Sequence, residues 1–140
     1  MGTSTSSTKR VRPGSQPTVE TKLTAYGEFA FQRLGNDPAQ SRELSRMSLA
    51  IWNEGSRNEE VRDVVMGGYR LWFDSLLELL REGQQGGEIR SEFDPETLVM
   101  VLIAMFDGLQ VSLALGAHPL HLQLVKETIM KMVKGGILNK

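Results

Sequence analysis

Two histidines and a group of carboxylates are the side chains of this 140-residue sequence that could do metal or acid–base chemistry. His118 and His121 are the only histidines, and their spacing brings in none of the further ligands that a zinc site needs. The carboxylate group has four members: Glu88, Glu92, Asp94 and Glu96. Two of them stand where a helix is predicted to begin, so we interpret the group as a solvated loop and a helix cap. The sequence therefore predicts no catalytic residue and no metal site.

Motifs of other enzyme classes are missing from the sequence as well. The chain has no cysteine, which excludes thiolate nucleophiles, disulfides and cysteine metal sites. The glycine-rich segment 83–87 follows a predicted helix and lacks the Lys-Ser/Thr pair of a phosphate-binding loop. The N-terminus has no apolar leader, and the net charge of −1 is unlike the basic excess of a nucleic-acid-binding domain. We expect a cytoplasmic protein that is not an enzyme and holds no cofactor.

Asp107 is the one charged residue within an otherwise apolar predicted helix. Nine consecutive apolar residues precede it, from Leu98 to Phe106, and a helix that is apolar all round must be buried or lie in lipid. Asp107 and Gln110 disfavour a membrane span, because a carboxylate near its centre costs about 2.5–3.5 kcal/mol. Two interpretations of Asp107 stay open, a carboxylate bonded across a helix contact and a polar group that lines a ligand cavity.

The elements that must position these residues are helices. Residues 1–18 are rich in Ser, Thr, Pro and Gly and carry a charge of +3 from Lys9, Arg10 and Arg12, which is typical of a disordered basic tail. Apolar spacing in the remaining domain, 19–140, predicts helices over residues 19–34, 38–54, 58–83, 95–115 and 119–134. Asp37-Pro38 and Asp94-Pro95 each supply an N-cap followed by a proline in the first turn. The predicted fold is all-α, an antiparallel bundle of about five helices.

Aromatic and methionine side chains on three of these helices indicate a small-molecule pocket, because such pockets are mostly apolar with a few polar groups. Plain core packing is the alternative for any one of them. With Asp107 as the polar member, the predicted ligand-binding residues are Met47, Trp52, Met66, Tyr69, Trp72, Phe73, Met105 and Asp107.

The composition of the helix predicted over 95–115 also indicates that the chain forms a homodimer. About 120 residues form too few helices to cover it on every side, and its small residues Ala104, Gly108, Ser112 and Gly116 recur every four positions, which lets another helix approach closely. A partner helix within the same chain remains the alternative. The predicted homodimer interface comprises Ala104, Gly108, Val111, Ser112, Leu115, Leu122, Val125 and Ile129.

Several short motifs resemble the C-terminal regulatory domain of the TetR family of transcriptional regulators. They are Leu80-Arg81-Glu82-Gly83, Gly87-Glu88-Ile89-Arg90, Phe93-Asp94-Pro95-Glu96, Asp107-Gly108-Leu109 and the upstream Ile51-Trp52-Asn53-Glu54. The resemblance covers about residues 20–135. It implies an all-helical homodimer whose last two helices form the interface, and a cavity that binds a small, often apolar effector. It also implies a repressor that effector binding releases from DNA.

The sequence departs from that family at its N-terminus. Family members carry a helix-turn-helix domain there, whereas residues 1–18 show no pattern of two packed helices. We therefore expect DNA contact only through a helix-turn-helix domain that this chain does not contain, which makes the chain a regulatory-domain fragment or a headless relative. The alternative function is an interaction protein that heterodimerises with full-length relatives.

Overall fold

Five α-helices make up the computed structural model, which describes residues 17–116 and 121–139. The helices are α1 (Val19–Gln32), α2 (Pro38–Gly55), α3 (Glu59–Gln85), α4 (Pro95–Leu115) and α5 (Leu122–Ile137). The prediction of an all-α fold with about five helices is confirmed. Of the predicted tail, residues 1–16 lie outside the described residues, as does His118.

The helix starts follow from local sequence chemistry. Asp37 accepts a hydrogen bond from the Gln40 amide at 2.9 Å, and the Asp94 carboxylate accepts from the Thr97 amide at 3.0 Å. A proline follows each cap, as the sequence predicted. Asn58 caps α3 by accepting from two backbone amides, a role that the sequence pattern had not indicated. Each cap satisfies amides that have no partner inside the helix.

The packed core lies at one end of the bundle. It is formed where α1 begins, α3 ends, α4 begins and α5 ends. Its buried members are Val19, Leu23, Leu76, Leu77, Leu79, Leu80, Ile89, Leu98, Val99, Val133 and Ile137. The opposite ends of α1 and α3, with α2 and the later part of α4, contribute none of these residues. There α2 packs against α3 and α4, and Leu34, Ser41 and Ser45 are fully buried.

The loop between α3 and α4 ties this end of the bundle together. Ile89 forms an isolated antiparallel bridge with Leu138, and the Asn139 amide donates to the Glu88 carbonyl at 2.9 Å. The Glu88 carboxylate also accepts from the Val19 amide at 3.1 Å. One short loop therefore holds both the first turn of α1 and the residues that follow α5.

Gly83 allows this loop to reach α3, and its substitution provides a test of the packing. A β-carbon at Gly83 would lie 2.6 Å from Ile89 Cδ1 and 3.0 Å from Val19 Cγ1, whereas a β-carbon at Gly67 would meet nothing within 4 Å. We expect Gly83→Ala to destabilise the fold by about 1–3 kcal/mol through overpacking. Gly67→Ala is the matched control in the same helix and should stabilise it by up to about 1 kcal/mol. Chemical denaturation of both variants measures the change in the free energy of unfolding. A change in the same direction for both would contradict the close packing of Gly83 against Ile89 and Val19.

α4 differs from the other helices in how much apolar surface it leaves uncovered. Its mean hydropathy of 2.1 over a membrane-length window would suit a membrane span, although core helices reach such values too. It packs against α2 and α3, yet only 28% of that window is buried. The expectation that this helix is buried all round therefore does not hold within a single chain, where Leu115 is 72% exposed.

Candidate ligand cavity

A cavity of about 660 Å³ lies beside the packed core and is lined by residues of all five helices. Leu23, Leu76 and Val133 belong to both the core and the cavity wall, so they form the floor that separates the two. A volume of this size is within the range of roughly 300–1,000 Å³ that small-molecule sites occupy.

Six of the eight predicted ligand-binding residues line this cavity. They are Met47, Trp52, Tyr69, Trp72, Met105 and Asp107. The structure does not bring Met66 and Phe73 to the wall: Met66 is 40% exposed, and Phe73 packs against the core and stacks on Tyr69. The wall takes residues 64–65, 68–69, 71–72 and 76 of α3, and at 3.6 residues per turn positions 66 and 73 lie on other faces.

The sequence prediction missed the contribution of α1 and α5 to the wall. Seven residues of α1 and the loop after it line the cavity: Leu23, Tyr26, Gly27, Ala30, Phe31, Arg33 and Leu34. Apart from Arg33, their spacing of 3, 1, 3, 1 and 3 is that of a single helical face, and that spacing was the available signal. From α5 come Ile129, Met130 and Val133.

Trp72 organises the aromatic part of the wall. The Tyr26 ring meets it edge-on with a centroid distance of 5.2 Å, and Phe29 stacks on it at 5.8 Å. The Tyr26 hydroxyl donates to the Trp72 carbonyl oxygen at 3.0 Å, and the Arg33 guanidinium lies 5.5 Å from the indole centroid. Burial raises the pKa of Tyr26, so its hydroxyl remains a donor at neutral pH. These contacts hold the indole in a fixed orientation at the wall.

The polar groups of the wall are few, and one of them is a carboxylate. Gln110 is 9% exposed and its amide donates to the Ser48 hydroxyl at 3.4 Å. Asp107 is half-buried, and burial raises the pKa of its carboxyl group because the charged form loses hydration. In the described part of the chain no Lys or Arg forms an ion pair with Asp107. The wall therefore holds one carboxyl group without an ion-pair partner and, at Trp72, the Arg33 guanidinium.

The carboxylates of the loop after α3 have structural partners. Glu88 accepts from the first turn of α1, Glu92 pairs with Arg90, and Asp94 caps α4. Glu96 lies 3.2 Å from Arg81. Within residues 17–116 and 121–139, no three His, Asp or Glu side chains are grouped as metal ligands would be.

The residues predicted for the dimer interface fall into two groups. Ala104, Gly108, Val111 and Leu115 lie exposed on α4. Ser112 and the three α5 residues Leu122, Val125 and Ile129 are half-buried, and Ile129 lines the cavity. The exposed side of α5 instead carries Leu124, which is 59% exposed, and Met132, which is 64% exposed.

Comparison with known proteins assigns this fold to a family. Residues 21–137 match the family model described as BetI-type transcriptional repressor, C-terminal. A solved structure with the same fold is that of a proposed transcriptional regulator from Saccharomonospora viridis in complex with choline, with a TM-score of 0.62 and 21% identity over 87% of this chain and 74% of that one. No curated protein matches the sequence. The chain belongs to the BetI-type repressors of the TetR family, and it comprises their C-terminal regulatory domain.

Proposed function

We propose that this domain binds a small effector in the cavity and forms a homodimer, as the regulatory part of a cytoplasmic transcriptional repressor. The observation that carries the proposal is the cavity of about 660 Å³ that the five helices leave beside a packed core. Protein interiors normally close-pack and leave few voids larger than a water molecule. A cavity of this size is therefore a binding site in this proposal and not a packing defect.

The wall of the cavity supports an effector with a largely apolar body and a positive charge. Most lining side chains are aliphatic or aromatic; Asp107 is the acidic one, and Arg33, whose guanidinium lies over the Trp72 ring, is the basic one. Aromatic faces attract cations through the ring quadrupole, and a carboxylate balances their charge. The regulator from Saccharomonospora viridis was crystallised with choline, a cation of this kind. We propose choline and related small ammonium compounds as the first effectors to test.

The uncovered face of α4 and α5 supports the homodimer. Val101, Ala104, Gly108, Val111 and Leu115 are exposed and recur at spacings of 3, 4, 3 and 4 along α4, which is the pattern of a helix-packing seam. Leu124 and Met132 on α5 are also exposed. A two-fold axis would pair this surface with itself and form a four-helix interface.

The proposed regulation is a coupling between the effector and DNA. An effector that binds one arrangement of the helices better than another shifts the equilibrium toward the arrangement it prefers. α1 is the candidate for the moving element because it lines the cavity and leads back toward the N-terminus. DNA contact in this proposal belongs to a helix-turn-helix domain and not to α1–α5.

Replacement of Asp107 by asparagine tests the proposed charge of the effector. Both tryptophans of the chain, Trp52 and Trp72, line the cavity, so their fluorescence should change when choline binds. We expect Asp107→Asn to weaken choline binding about tenfold or more, through loss of a charge interaction in a partly desolvated site. The neutral isostere 3,3-dimethylbutan-1-ol is the control and should bind both proteins equally. Unchanged choline affinity would contradict the role of Asp107, and no response to either compound would contradict the effector cavity.

Asp107→Asn should also change how the stability of the effector-free protein depends on pH. Burial raises the pKa of Asp107 in the folded protein, so the folded state binds this proton more readily than the unfolded state. The stability that Asp107 contributes is therefore complete below its unfolded pKa and is lost as the pH rises through the folded pKa. Asp107→Asn should melt at a higher temperature than the parent protein at pH 7, and the difference should disappear below about pH 4.

A further inference from the structure

The cavity has a mouth bordered by exposed aliphatic side chains. Four of its lining residues are largely open to solvent: Met47 at 55%, Ile51 at 49%, Val64 at 77% and Leu71 at 73%. Single exposed apolar residues are common on protein surfaces, but a group around one opening indicates a contact surface. Gly68 lies among them, and a β-carbon there would meet nothing within 4 Å, so the opening is unobstructed at α3.

A second, narrower groove continues from this mouth on the outside of α1 and α3. Its volume is about 210 Å³, and it is lined by Tyr26, Phe29, Leu71, Trp72 and Ser75. Tyr26, Leu71 and Trp72 also line the cavity, so the two spaces share a wall. Phe29 is 55% exposed and stacks on Trp72, which extends the apolar path beyond the opening.

Two polar groups of the cavity wall, Gln110 and Asp107, lie on α4, and a third, the Arg33 guanidinium, lies over the Trp72 ring. Gln110 is buried in the wall and Asp107 is half-buried, whereas the exposed lining residues on α2 and α3 are aliphatic. A ligand with a polar head and an apolar tail would satisfy both regions if its head lay inside and its tail at the mouth. A compact ligand held wholly inside would leave the aliphatic rim in water.

On the basis of the proposed function, we propose that the cavity accepts elongated amphiphiles, whose unbranched apolar tail leaves across Leu71 and lies in the groove beside Phe29. A groove of about 210 Å³ whose lining is mostly aromatic and aliphatic suits a hydrocarbon chain. Its continuity with the cavity gives the tail and the head a single site. The effectors of this class have a small polar head and a chain long enough to reach the surface.

A chain-length series tests this inference. The probes are butyl-, octyl- and dodecyl-trimethylammonium and the corresponding straight-chain primary alcohols, below their micellar or solubility limits, with tryptophan fluorescence and calorimetry as readouts. We expect the affinity to rise throughout the series, by up to about fourfold for each methylene that is buried. Phe29→Ser should reduce the affinity for the dodecyl compounds at least tenfold and that for the butyl compounds much less, since Phe29 lines the groove directly and reaches the cavity only through its stacking on Trp72.

The outcomes separate this inference from the function on which it rests. If butyl compounds bind but affinity stops rising with chain length in both series, the tail site is wrong and the effector cavity stands. If long chains bind more tightly but Phe29→Ser leaves their affinity unchanged, the tail does not lie in this groove and the inference is overturned. If Phe29→Ser changes only self-association in light scattering, the groove is a protein contact and the inference again fails. Absence of binding by every compound would overturn both proposals.

Discussion

Gly108→Arg should abolish the proposed homodimer and leave a monomer at micromolar concentration. Gly108 is the middle one of the five exposed small and apolar residues on α4, Val101 to Leu115. A β-carbon at Gly108 meets nothing within 4 Å in the single chain. We therefore expect the arginine to leave the fold of the protomer unchanged. In a two-fold interface each residue occurs twice, and the variant would place two guanidinium groups near each other among apolar side chains. An unpaired buried charge costs several kcal/mol, which corresponds to a loss of affinity of at least about a hundredfold.

Gly67→Arg is the matched control for this experiment. Gly67 is also an exposed glycine inside a helix with no atom near its β-position, but it lies on α3. Sedimentation velocity on the parent protein and both variants measures the association. We expect only Gly108→Arg to sediment as a monomer, with an unchanged far-ultraviolet circular dichroism spectrum. A dimeric Gly108→Arg would place the interface elsewhere, and a monomeric parent protein would exclude the homodimer.

Ala30→Phe should abolish effector binding and leave the dimer intact. Ala30 is 9% exposed and lines the cavity from α1, so a phenyl group at this position would occupy space that the effector needs. The wall cannot retreat easily, because Leu34 on the same side is 1% exposed. We expect the affinity for choline to fall by more than about tenfold, the equivalent of about 1.4 kcal/mol or more. Fluorescence of Trp52 and Trp72 provides the readout.

Ala25→Phe controls for the effect of a bulky residue on α1. Ala25 is exposed and does not line the cavity, so this variant should bind choline as the parent protein does. Thermal melting and sedimentation of both variants establish that folding and dimerisation persist. If Ala30→Phe is folded and still binds choline with the parent affinity, the effector does not occupy this cavity.

Local signals explain why the sequence predicted the helices well. A cap and its first turn lie within a few residues of each other, so Asp37-Pro38 and Asp94-Pro95 determine where α2 and α4 begin. The end of α3 is a small exception. Gly83 suggested a helix end, but α3 continues to Gln85, because the missing side chain serves packing against Ile89 and Val19 and not a turn.

The cavity was harder to predict because it depends on how helices distant in the sequence cross. Periodicity identifies the apolar face of a helix but not which part of that face meets a neighbour. Phe73 and Trp72 are adjacent in the sequence, yet Phe73 packs on the core and Trp72 lines the cavity. To predict that α1 lines the cavity, one would have had to know that Tyr26 contacts Trp72, which lies 46 positions away in the sequence. The bridge between Ile89 and Leu138 is likewise too short to leave an alternating pattern in the sequence.

The division of the bundle into a filled end and a hollow end links ligand recognition to thermal stability. The filled end supplies most of the buried apolar side chains of the fold, with Ala30, Leu34, Leu113 and Ala114 buried outside it. The side chains that face the cavity lack the dispersion contacts that a solid interior would give them. A molecule that fits the cavity restores such contacts in the folded state alone. At a free concentration a hundred times its Kd, it would stabilise the protein by about 2.7 kcal/mol through mass action. The melting temperature of the domain is thus itself a measure of occupancy, and a panel of metabolites could be ranked by it without any knowledge of the operator.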